Sequence, residues 1–174
     1  MAAFTVIDHT ELSGNATSYT VSSISASYDH LYLVASARSD TSVYIDFCQF
    51  EFNTDTTGSN YSTTWLDAST TTPTSNRATT YAHGGFVPDA SVLANTFGST
   101  TLWIPNYANT ANFKQSILSS SVENNSTTNN EWITMVAANL WKSTAAINEV
   151  KWFPSGGDDF VANSTFDLYG ITGA

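Results

Sequence analysis

A single cysteine, Cys48, in 174 residues leaves no partner for an internal disulfide, and no local histidine stands by to activate it as a nucleophile. Cations are nearly as scarce. Arg38, Arg77, Lys114, Lys142 and Lys151 are scattered among fifteen acidic residues, for a formal net charge of −10. Contacts to a phosphate backbone need clustered Lys and Arg, so DNA and RNA are excluded as direct partners. An acidic surface is equally ill matched to anionic lipid headgroups. No apolar run approaches the roughly 20 residues that span a bilayer as a helix. Met1-Ala-Ala-Phe4 lacks the basic and apolar regions of a signal peptide, so no leader is expected.

Charged residues of all kinds make up 11 %, so the polar share falls instead to Ser, Thr and Asn. These short side chains compete for backbone hydrogen bonds and Thr is β-branched, which disfavours helices. Aromatics reach 13 % and, with Val, Ile and Thr, suit strands. The length fits one domain, residues 1–174, large enough to bury a core without disulfides or metal.

Alternation supplies the strands. In His30–Arg38, Leu31, Leu33, Ala35 and Ala37 share one face and His30, Tyr32, Val34 and Ser36 the other. In Val43–Phe52, Asp46, Cys48, Phe50 and Phe52 oppose Ile45, Phe47, Gln49 and Glu51. The pair reads as a hairpin turned at Ser39-Asp40, with Cys48 as a buried strand thiol. Further strands are expected at Phe4–Asp8, Ser18–Ile24, Ala78–His83, Phe97–Ile104, Asn112–Val122, Glu131–Trp141 and Ala145–Phe153. A closing strand at Asn163–Ile171 is expected to end the domain, with Phe166, Leu168 and Gly170 toward the core. Asn53–Asn60 reads as a turn-rich loop, and the Ser/Thr tract Ala68–Ala78, broken by Pro73, as surface. Short strands about ten residues apart indicate an antiparallel β-sandwich, jelly-roll-like.

Catalytic constellations are missing. His9, His30 and His83 are far apart, and Asp29-His30 has no Gly-x-Ser-x-Gly elbow to serve. Metal spacings such as His-Glu-x-x-His are absent. Asn53, Asp55 and Asn60 offer oxygens in one loop, but in no EF-hand order, and Asx turns explain them as well. Asp46 with Glu51, and Asp158 with Asp159, read as solvent-facing rather than as a glycosidase pair. No enzymatic activity, cofactor or metal is expected.

Five ordered stretches carry a resemblance. They are Tyr28–Arg38; Phe52-Asn-Thr-Asp55 with Asn60-Tyr-Ser62; Ala94-Asn-Thr-Phe-Gly98 with Tyr107-Ala-Asn-Thr110; Leu140–Ile147; and Asn163–Ile171. Together the chain resembles a family of tailed-bacteriophage virion structural proteins, capsid decoration or tail-associated β-domains. The resemblance implies a component of the virion surface, assembled in the host cytoplasm. The first expectation is a capsid decoration (cement) protein, a homotrimer packed on the major capsid protein or another virion protein. The alternative is a tail or baseplate module that binds host-surface glycan. Of the five tryptophans, Trp65, Trp103 and Trp141 are the candidates for partner or glycan contact, Trp65 being the one expected to be most exposed.

Overall fold

The computed structural model describes residues 3–128 and 130–173. Met1 and Ala2, which begin the stretch read for a leader, lie outside the described residues, as do Asn129 and Ala174. Twelve strands follow one another: β1 (Ala3–Glu11), β2 (Tyr19–Val21), β3 (His30–Ala37), β4 (Ile45–Phe52), β5 (Tyr61–Ala68) and β6 (Thr74–Ala78). The second half supplies β7 (Ala82–Pro88), β8 (Gly98–Pro105), β9 (Lys114–Val122), β10 (Ile133–Trp141), β11 (Val150–Pro154) and β12 (Thr165–Thr172). One sheet has the order β1-β12-β3-β8-β9-β10-β5-β6 and the other β2-β11-β4-β7, with antiparallel pairing throughout.

The class read from the sequence is thus the one observed, an all-β antiparallel sandwich. Its sheets are unequal, eight strands against four, and the jelly-roll comparison extends no further than the two-layer plan. Alternation decides what lies between the layers. Leu31 and Leu33 of β3, Leu102 and Ile104 of β8, and Phe166 and Leu168 of β12 are buried. From the smaller sheet Cys48, Phe50 and Trp152 meet them, with Trp152 4.9 Å from the Phe160 ring and 5.5 Å from Phe166. Each such side chain contributes about 1.5–3 kcal/mol through burial.

Several local expectations change. β3 and β4 are not a hairpin: β3 pairs with β12 and β8, while β4 pairs with β11 and β7 in the other sheet. The segment between them crosses from one layer to the other. The strand expected at Ala78–His83 begins at Ala82 and runs through both glycines to Pro88. A Cβ on Gly84 would sit 2.7 Å from the Trp152 indole nitrogen, and Gly85 has a φ of +86°. These glycines therefore let a strand pass close to its neighbours instead of ending it. β5 had been passed over, and part of the Ser/Thr tract pairs with it as the exposed edge strand β6.

An edge of the smaller sheet is closed by side chains. β7 pairs only with β4, so half of its backbone groups lack a strand partner. Asn139 on β10 fills that gap: its Oδ1 accepts the His83 N–H at 2.8 Å and its Nδ2 donates to the His83 carbonyl at 3.1 Å. Three positions on, Ser120 Oγ accepts from the Phe86 N–H and donates to the Phe86 carbonyl, each at 3.0 Å. The larger sheet thus supplies side-chain stand-ins for a missing strand, which blocks edge-to-edge pairing there.

Candidate interaction surface

The three tryptophans proposed as contacts are not brought together. Trp141 corrects the expectation: it is 3 % exposed, on the inner face of β10 with Met135 and Ala137, and its indole N–H donates to Asp55 at 2.8 Å. Trp65 also points inward from β5 and is half-buried. Its ring lies 5.0 Å from His83 and its N–H donates to Asp67 at 2.7 Å, so it packs past the free edge of β7 rather than standing in solvent. Only Trp103 lies on the outer face of the larger sheet, half-buried between His30 at 4.9 Å and Tyr32 at 6.1 Å.

That outer face is where exposed apolar side chains collect. Register places Val6, Tyr169, Tyr32 and Trp103 in one row across β1, β12, β3 and β8. The row continues through Ile117, Ala138, Thr64 and Arg77 on β9, β10, β5 and β6. A parallel row carries His9, Asp167, Val34 and Thr101, then Ser119, Val136, Leu66 and Ser75. Phe4 is 63 % exposed, Val6 58 %, Leu66 56 %, Ile117 53 % and Val136 41 %. Apart from Leu66, on the unexpected strand β5, these positions are legible as strand alternation; their grouping depends on pairings between distant segments.

The two halves of the face differ in relief. On the first four strands the aromatic rings brace one another edge to face: Phe4 meets Tyr32 at 6.2 Å and 87°, and Tyr169 at 6.0 Å and 70°. On the last four strands small side chains leave shallow depressions, one lined by Leu66, Ile117, Val136 and Ala138 and another by Ser62, Thr64, Gln115 and Leu140. A platform for pyranose stacking needs ring faces turned outward in one plane, and rings tilted this steeply do not provide it.

The titratable groups have local partners. His9 Nδ1 lies 2.6 Å from Asp167 Oδ1, and that hydrogen bond, with the carboxylate charge, raises the histidine above its usual 6.5. In an NMR titration Asp167→Asn should bring the His9 midpoint down; an unchanged midpoint would show that the pair does not form. His30 Nδ1 accepts the Asn106 N–H while Asp29 accepts that of Gly173, so the adjacent residues are not a base and its orienter. Burial lowers His83 to about 3; its Nδ1 accepts from the Gly85 N–H, which fixes a neutral ring protonated on Nε2. Burial raises the Cys48 thiol well above its usual range and keeps it protonated.

The loop after β4 spends its oxygens internally. Asn53 Oδ1 accepts the backbone N–H groups of Asn148 and Glu149, and Asp55 accepts from Thr57, Asn60 and Trp141. Desolvation pushes the Asp55 carboxyl up, but the hydrogen bonds from Trp141, Asn60 and Thr57 outweigh it and leave it below the usual range. Among the described residues, no three His, Cys, Asp or Glu side chains converge to hold a metal ion. Asp46, read as solvent-facing, is instead 5 % exposed on the inner face beside Cys48. Its Oδ2 and the Ser39 hydroxyl have no hydrogen-bond partner among the described residues, and desolvation raises its carboxyl to about 6.

In comparisons with known proteins, the chain matches no family model, no curated protein and no solved structure. The phage resemblance therefore rests on the five quoted stretches alone.

Proposed function

We propose that this chain is a structural component of a bacteriophage virion, in first place a capsid decoration protein that packs against a neighbouring protein of the particle. The observation that carries the reading is the outer face of the eight-stranded sheet, where one row of apolar and aromatic side chains runs unbroken from Val6 to Ala138 across six strands, with few charges beside it. Exposed apolar area gathered on one face marks a protein contact. The acidic residues elsewhere give the remaining surface a net charge that resists association between particles. Binding only the assembled shell would stabilise it by mass action. The resemblance implies a homotrimer; a face-to-face pair on the outer face has a different copy number, and sedimentation velocity decides between the two.

The glycan-binding alternative draws less support, because Trp65 and Trp141 are engaged within the chain and the rings around Trp103 are mutually tilted. Immunogold electron microscopy of intact virions, with antibody against this protein, tests the reading. Labelling across the head is expected. Labelling confined to the tail would favour the attachment module and make glycan binding the next question, and unlabelled virions would overturn the proposal.

A further inference from the structure

Within that reading, we infer that the neighbour on this face is a second copy of the chain, packed face to face about a two-fold axis. The axis runs parallel to the strands and passes between β8 and β9, the central strands of the eight. Rotation about it lays the first four strands of one copy over the last four of the other. Trp103 then faces Ile117 of the second copy, Tyr32 faces Ala138, and Tyr169 faces Thr64. In the next row Val34 faces Val136. Large side chains meet small ones at Tyr32 and Tyr169, Trp103 meets the apolar Ile117, and the braced rings project toward the depressions on the opposite half.

Charge selects the same axis. Chains of net charge −10 repel, and can approach closely only through a face that carries little of that charge. On the three register rows from Val6 to Arg77, from His9 to Ser75 and from Glu11 to Ala68, the acids are Asp167, hydrogen-bonded to His9, and Glu11. Both lie at the β1 edge, and Arg77 at the β6 edge is the one Lys or Arg in those rows. The two-fold parallel to the strands brings each Arg77 over the acidic edge of the other copy. A two-fold across the strands would instead set ring upon ring and Arg77 upon Arg77.

The size of the face suffices. Eight strands and three rows, counted at full widths of about 4.8 Å and about 7 Å, cover roughly 38 by 21 Å, about 800 Å². A standard specific interface buries about 800 Å² per partner.

Sedimentation velocity of the purified chain between about 1 and about 100 µM reads the outcome. The mass of two copies is expected. Ala138→Phe fills the hollow opposite Tyr32 and should weaken pairing about tenfold or more, since the added ring overpacks both symmetry-related contacts. Adding Tyr32→Ala in the same chain exchanges large for small at both symmetry-related contacts and should restore it. A monomer at every concentration, a three-copy mass, or an Ala138→Phe variant that pairs as well as the parent would each overturn the inference. A monomer that still labels virions would remove the pairing and leave the virion reading intact. A pair of copies with unlabelled virions would do the opposite.

Discussion

Replacing Asn139 by leucine is expected to lower the free energy of unfolding by about 2–6 kcal/mol, although the two side chains share the same branching and number of heavy atoms. The amide holds both backbone groups of His83, and the N–H can only donate while the carbonyl can only accept, so the orientation of the amide is fixed. Leucine would leave both groups buried without partners, at about 1–3 kcal/mol each. Urea denaturation measures the loss. A change below about 0.5 kcal/mol, the usual range for neutral surface substitutions, would mean that β7 does not depend on the amide to close its edge.

The second large effect is one of pH. Desolvation, with the charges of Asp158 and Asp89 adding to it, holds the Asp46 carboxyl near 6. The native state therefore binds this proton more tightly than the unfolded chain, where the group titrates near 3.8. Stability from this residue is fully present below about 4, falls as pH rises toward 6, and is flat above it. The difference amounts to about 3 kcal/mol. Asp46→Asn should remove that slope and stabilise the protein at neutral pH by a similar amount. Denaturation at a series of pH values checks it: parallel profiles for the two proteins would show that Asp46 is not held neutral in the fold.

Asp46 also marks where the sequence was legible and where it was not. Alternation had already set it on the face of Cys48, Phe50 and Phe52, and that face is the buried one. Only the habit of placing carboxylates in solvent pointed the other way. Trp141 is a similar case, since it shares a face with Met135 and Ala137 and is buried with them. The faces of β3, β8, β10 and β12 follow directly from period-two patterning.

Pairing between strands does not follow from it. The apparent β3–β4 hairpin failed because alternation reports which side of a strand is apolar and nothing about which strand lies beside it. β5 is hard to read because the Ser62-Thr63-Thr64 run at its start shares its composition with the loops around it. The contact surface stayed hidden for the same reason. Val6, Tyr169, Tyr32, Trp103 and Ile117 come from five segments, and only the register of the eight-stranded sheet sets them in a row.

The most direct test of the central claim is a cryo-electron microscopy reconstruction of the virion at side-chain resolution. The account predicts the sandwich on the particle, with the face that bears Trp103 and Ile117 covered by protein. A particle in which that face is open to solvent, or from which the sandwich is missing, would contradict it.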